Sequence, residues 1–269
     1  PPSSFCRPPS LTSMPFTPSH VAAVLPLRGC DAAFPFAALA IGSMSPDLPY
    51  YLPGLRWLGA LTHAAWAVPS LDLVLGLTAW LLWRWLAPAV NELSPLPIRR
   101  RWRLPSTRPR WWGVLVAVTI GATTHVLIDE FTHAGRFGAT HLAALAARYP
   151  SPLGGAWEGY RWAQYLGGAL GLIALAWVAG RSQVTTAPSD PPPLARWLPW
   201  TAVAAGLGGA AIAIALGGGP SVGPRAAVFV TLTGGIAASA AAVAGLAVVH
   251  RLRRKAPLQP RSSTASPNS

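Results

Sequence analysis

Apolar residues in this chain come in long blocks rather than in alternation. "WAQYLGGALGLIALAWVAG" (162–180), "WLPWTAVAAGLGGAAIAIALGG" (197–218) and "AAVFVTLTGGIAASAAAVAGLAVV" (226–249) each approach the roughly 20 residues that cross a bilayer core as a helix. "LTHAAWAVPSLDLVLGLTAWLLWRWLA" (61–87) is predicted to break at Pro69, with Ser70 capping the helix that follows. Segment 111–131, "WWGVLVAVTIGATTHVLIDEF", is another long apolar run. Two shorter stretches open the chain. "SHVAAVLPL" (19–27) is too short to span, and "FPFAALAIGSMSPDLPYYL" (34–52) follows it after "RGCDAA". As a helical hairpin the two descend and return, which puts His20 and Asp47 at the same end. Pro46 and Pro49 bracket Asp47, so the aspartate belongs where that helix stops. The pattern predicts an all-α, polytopic membrane bundle of about six segments, including the short N-terminal helical hairpin.

Composition agrees. The 269 residues are 52% hydrophobic and only 11% charged, with mean hydropathy +0.38; an ordinary soluble domain carries about 25% charged residues. The formal net charge is +13, from 21 Lys and Arg against 8 Asp and Glu. Because the arginines cluster beside apolar runs and no nucleic-acid motif accompanies them, the charge reads as topological, and no nucleic-acid partner is expected. "PIRRRWRLPSTRPR" (97–110) holds six of those arginines and is predicted to be cytoplasmic. Alternating the spans from there makes the Pro-rich linker 181–196 and the basic tail cytoplasmic too. Asp47, His63 and the His133 end of 111–131 then share the outer face. Trp57, Trp66, Trp83, Trp85, Trp102, Trp111 and Trp112 flank the spans as an interfacial belt.

The expected organisation has five parts. The Pro/Ser-rich residues 1–13 read as a disordered leader or an over-extended start before Met14. Residues 14–180 form a membrane domain bearing the polar cluster, 181–196 the linker, 197–250 a Gly/Ala-rich helical hairpin packed through small residues, and 251–269 a basic disordered tail. Cys6 and Cys30 have no metal-type spacing and make no disulfide framework.

Candidate chemistry lies in "HVLIDEFTH" (125–133). Positions i, i+4 and i+8 share a helix face, so His125, Asp129 and His133 form a polar stripe inside an apolar segment. Ionisable groups in a membrane are costly and tend to mark function. Imidazole and carboxylate are ligands for zinc, manganese or iron. At a rise of 1.5 Å per residue, His125 and His133 lie about 12 Å apart at Cα. That spacing suits two ions about 3.5–4 Å apart bridged by Asp129, with His20, Asp47 and His63 completing the ligand sets. The bland alternative is a mutually hydrogen-bonded His–Asp–His ladder inside a structural bundle. Glu130 sits about 100° off the stripe; it is either a general base or the partner of Arg136. Asp72 is a second-tier ligand candidate, or simply a first-turn carboxylate favoured by the helix dipole. His141 lines the site's mouth or lies on the surface, and His250 is interfacial.

"MPFTPSHVAAVLPL", "ALAIGSMSPDLPYY", "LTHAAW" and "HVLIDEFTHAG" together resemble a bacterial integral-membrane family known as domain of unknown function 4184, over residues 14–180. That family is similar to inner-membrane metal-dependent hydrolases of the YdjM type. More distantly it resembles the zinc-dependent phospholipase C superfamily, in which an H-x-x-x-D element on a helix feeds a multi-zinc centre. The resemblance implies a multi-pass protein of the bacterial cell membrane using zinc, with two ions, to hydrolyse a phosphodiester or lipid-like substrate at the extracytoplasmic face. Asp129 and Glu130 would be its catalytic residues. Two non-hydrolytic readings stay open: a metal or proton transporter, against which the apolar inner halves of the spans argue, and a non-catalytic membrane scaffold.

Overall fold

The computed structural model describes residues 17–31, 33–102, 104, 108–152, 154–184, 190–217 and 224–255. The expected leader, the start at Met14, part of the linker and the tail beyond 255 lie outside the described residues.

The chain is helical almost throughout, as the apolar blocks require. A 3₁₀ segment, Thr17–Cys30, leads into α1 (Phe36–Gly42), a 3₁₀ turn Ser45–Asp47, α2 (Leu48–Tyr51) and α3 (Gly59–Thr62). After these come a π turn Val68–Asp72, α4 (Leu73–Leu93), α5 (Leu96–Arg99) and α6 (Trp111–Thr132). Beyond α6 lie α7 (Phe137–His141), α8 (Ala143–Ala146) and a two-stranded antiparallel hairpin of β1 (Arg148–Pro150) and β2 (Ala156–Glu158). Three long helices close the fold: α9 (Gly159–Arg181), α10 (Leu198–Gly217) and α11 (Pro224–Lys255). Among the described residues, five stretches are long and apolar enough to cross a membrane: Ala65–Leu93, Trp111–His141, Gly159–Arg181, Pro193–Leu216 and Ala226–Arg254.

The second of these is the axis of the bundle. It is 44% buried in its most apolar window, against 6% for Pro193–Leu216. Glycine explains how closely α1 approaches it. A Cβ on Gly121 would run into the Leu39 carbonyl and the Ser43 backbone nitrogen, and one on Gly42 would strike the Val118 carbonyl. The two backbones touch here, and Val24, Leu39, Trp80, Val114 and Val118 fill the core around the contact. The α10–α11 hairpin docks on α4 through Leu86, Leu93, Leu198 and Ala247, and Phe229 of α11 meets Tyr50 edge-on at 5.6 Å.

One local expectation holds and one needs correcting. The N-terminal segment, a 3₁₀ path of 14 residues, is not among the stretches long and apolar enough to cross a membrane. Its Thr17 end meets Asp47 and its Arg28 end donates to Ser182 after α9. The descent and return are as expected, and His20 and Asp47 do share an end. Ser70 does not cap α4. Its hydroxyl bonds back to the Trp66 and Ala67 carbonyls, because a π turn, not an exposed helix start, follows Pro69.

Most arginines gather toward one end, Arg136 beside the cluster being an exception. The arginines of 99–101, Arg181, Arg196 and the close of α11 gather at one end, tied by Arg28 to Ser182 and by Glu92 to His250 and Arg254. The histidines of the N-terminal half gather at the other.

Candidate metal centre

Six polar side chains from four elements converge toward that second end. His20 comes from the 3₁₀ segment, Asp47 from the turn after α1, and His63 from the end of α3. His125 and Asp129 come from α6 and His133 from its C-cap. All but His133 are buried.

The contact of α1 with α6 positions the centre. Gly121 lies one turn before His125, and the close approach it permits brings the Ser43 carbonyl to His125. His125 Nδ1–H donates to that carbonyl at 2.8 Å, while His63 Nδ1–H donates to the Gly59 carbonyl at 2.7 Å. A carbonyl can only accept, so the proton of each ring is committed there and Nε2 is left to face inward. The two Nε2 atoms stand 3.3 Å apart. Asp47 Oδ1 lies 3.3 Å from His63 Nε2 and 3.6 Å from His125 Nε2; Asp129 Oδ2 lies 3.2 Å and 3.4 Å from the same atoms. For ligand bonds of 2.0–2.1 Å, a tetrahedron has edges of about 3.3–3.4 Å. Five edges among these two imidazole nitrogens and two carboxylate oxygens are thus close to that value, and the groups whose ligand atoms all lie within 4.8 Å of one another are Asp47, His63 and His125, and His20, His125 and Asp129.

Asp129 continues the cluster with its other oxygen. Oδ1 lies 3.2 Å from His133 Nδ1 and 3.7 Å from His20 Nε2. Beside these contacts lies a cavity of about 360 Å³ lined in part by His20, His133 and Gln164. Structural zinc sites are closed by four protein ligands, whereas catalytic ones keep a position free. The His133 ring has two settings. With the Gln164 amide nitrogen donating to Nε2 (3.1 Å), the ring proton sits on Nδ1 facing Asp129. With the amide turned over, Nδ1 offers a lone pair.

The outer contacts hold this set in place. Tyr51 donates to Thr17 Oγ1 at 2.8 Å, and Thr17 donates to Asp47 Oδ2 at 2.6 Å, which turns Oδ1 inward. Arg136 Nη1 donates to the His63 carbonyl at 2.9 Å and pairs with Glu130 at 3.3 Å. His20 stacks on His125 with ring centroids 3.9 Å apart. Among the described residues, Asp47 Oδ1 and Asp129 Oδ1 are buried with only imidazole nitrogens against them, and His20 Nδ1 is buried without a hydrogen-bond partner. Burying such atoms unsatisfied costs about 1–3 kcal/mol each, and a cation among them removes that cost. Burial draws the His63 imidazole down, but hydrogen bonds to the Asp129 and Asp47 carboxylates outweigh it and push it up to about 10. A proton and a metal ion therefore compete for the same lone pairs.

Other candidates sit apart. Glu130 is spent on Arg136 and on the backbone N–H of Phe137, 2.9 Å away. His141 is exposed and stacked on Phe137. Asp72 is wholly buried in the π turn, and neither of its oxygens has a hydrogen-bond partner among the described residues. The outer set of Thr17, Tyr51, Gly59 and Ser43 is absent from the expectations drawn from the sequence. The only signal was the polar Thr17 and Tyr51 near His20 and Asp47; the carbonyls carry none.

A chain with this bundle and this buried His/Asp cluster is an integral membrane protein of apolar helices. It belongs to the family described as domain of unknown function (DUF4184), whose model matches residues 14–249. The match takes in the α10–α11 hairpin, beyond the limit at residue 180 expected from the motifs. No curated protein and no solved structure matches the chain.

Proposed function

We propose that the cluster binds two divalent cations, zinc first, and hydrolyses a phosphodiester or lipid-like substrate. In this reading His63, His125, Asp47 and Asp129 Oδ2 close one position, while His20, His133 and Asp129 Oδ1 form the open one. The observation that carries it is the convergence of the His63 and His125 Nε2 atoms on two carboxylate oxygens, with both Nδ1 protons committed to backbone carbonyls. Bound there, the ions would lower the pKa of a water and polarise the scissile oxygen. The chain's own contribution is to orient: Thr17 and Tyr51 turn Asp47, and the two backbone carbonyls fix the ring tautomers. Glu130 and Arg136 brace the His63 backbone, so the contacts of Glu130 favour a positioning role over that of general base. The open position agrees with the proposed kinship to YdjM-type metal-dependent hydrolases and, more remotely, to zinc-dependent phospholipases C. The positive-inside rule supports a bacterial cell-membrane protein with the arginine end cytoplasmic and the cluster facing outward.

The competing reading is a structural ladder in which protons occupy the cluster and no reaction follows. The raised His63 imidazole favours it. Metal content decides. Detergent-purified protein, prepared without chelator, should carry about two zinc ions per chain, lost in Asp129→Ala at unchanged helical content. Zinc-free wild type that takes up none on dialysis against zinc would overturn the metal reading and leave the ladder.

A further inference from the structure

The cavity beside His20 and His133 is more than a mouth for the cluster. It lies between the N-terminal 3₁₀ segment, α6 and α9, within the apolar part of the bundle. Its wall along α9 runs from Gln164 through Gly167, Gly168 and Gly171 to Ala174. Ten residues of α-helix measure about 15 Å, half the ~30 Å hydrocarbon core. The length of the wall is therefore the depth of one leaflet.

Its lining mixes two chemistries: polar His20, Thr132, His133 and Gln164, and small residues of α9 and the 3₁₀ segment such as Gly167, Gly168 and Ala22. His20 is 8% exposed, and its Nδ1 has no hydrogen-bond partner among the described residues. The polar groups that the cavity offers come from the His20, Thr132, His133 and Gln164 side chains together. The glycines keep the apolar part of the lining hollow. At Gly167 an added Cβ would meet nothing within 4 Å, whereas at Gly171 it would press on Ser19. Gly167 faces open space and Gly171 the floor where the 3₁₀ segment closes on α9. Neighbouring Leu170 and Ile173 are 65% and 63% exposed, as residues that face lipid are.

We infer that this cavity is a lateral groove for one hydrocarbon chain of a membrane lipid, which lies along Gly167 and Gly168 and presents its polar end to His20 and His133. The inference rests on the hydrolase reading for what happens at that polar end, but the groove itself does not need a metal. It narrows the substrate class from any phosphodiester to one delivered sideways from the leaflet.

The test uses the full chain in nanodiscs of phosphatidylethanolamine and phosphatidylglycerol. The probe is phosphatidylglycerol carrying a photoactivatable diazirine midway along one acyl chain. Cross-links mapped by mass spectrometry should concentrate on Ser19–Ala23 and Ala163–Ala174. Gly167→Leu fills open space and raises helix propensity, so the bundle should fold. It should cut those cross-links about tenfold, as expected when roughly two methylenes lose their contacts. Gly208→Leu, on α10 where a Cβ also meets nothing, should leave them unchanged. Cross-links spread evenly over α9, α10 and α11 and indifferent to Gly167→Leu would overturn the groove. Zinc content, measured on the same samples, judges the metal reading separately. A zinc-free protein with localised cross-links keeps the groove and loses the hydrolase.

Discussion

Asp129 divides its work between two oxygens, and this division sets what each neighbour can do. Oδ2 faces His63 and His125, and Oδ1 faces His133 and His20. Residues that touch no candidate ion should still tune the site, because a carboxylate held by one oxygen presents the other in a fixed direction. Tyr51→Phe removes the donor to Thr17 and so loosens Asp47 Oδ2. Zinc affinity, read by competition with a fluorescent chelator, should fall about tenfold, at the low end of the effect of outer-contact losses at metal sites. Unchanged affinity would remove Tyr51 from the site. The His63 imidazole, pushed up to about 10, carries a proton at neutral pH that zinc has to displace. Zinc binding should therefore release protons and strengthen as pH rises. Calorimetry in two buffers of different ionisation enthalpy measures that release, and equal heats in both would contradict it.

At the scale of elements the decisive contact is that of α1 on α6. Gly121→Ala adds one carbon where the Leu39 carbonyl and Ser43 nitrogen already stand, and overpacking of this kind costs about 1–3 kcal/mol. The thermal midpoint in detergent should drop, and the His125 bond to Ser43 should be lost with it; Gly208→Ala should not lower it. The helices themselves were legible, because apolar blocks of bilayer length leave few alternatives. The His125, Asp129 and His133 stripe was legible too, since a four-residue interval of polar groups stands out in an apolar helix. Helix type was not. Nothing in "TPSHVAAVLPLRGC" distinguishes a 3₁₀ from an α path, yet that choice changes its reach by about 0.5 Å per residue. Nor were the Ser43 and Gly59 carbonyls legible, because every residue has one and only tertiary packing decides which imidazole it meets.

Over the whole molecule, most of the arginines gather at the end opposite the His/Asp cluster, and the positive-inside rule predicts an orientation from that bias. On a background lacking Cys6 and Cys30, Tyr149→Cys near the cluster end should react with a membrane-impermeant maleimide on intact cells. Arg108→Cys should react only after permeabilisation. The reverse pattern would turn the protein over and place the cluster on the cytoplasmic face. The α10–α11 hairpin belongs to the same unit, since Phe229 backs Tyr50, whose ring in turn tilts against His63.

The N-terminal segment leans on a helix made long after it. Arg28 and its partner Ser182 are 154 residues apart, and Ser19 rests where Gly171 leaves room. At about 5–20 residues per second of synthesis, this segment is made roughly 8–30 s before its partner Ser182. His20 travels on that stretch. Val24 packs with Leu39, Val114 and Val118 and His20 stacks on His125, so the segment has one side of its seat on α1 and α6, and α9 closes the other side later.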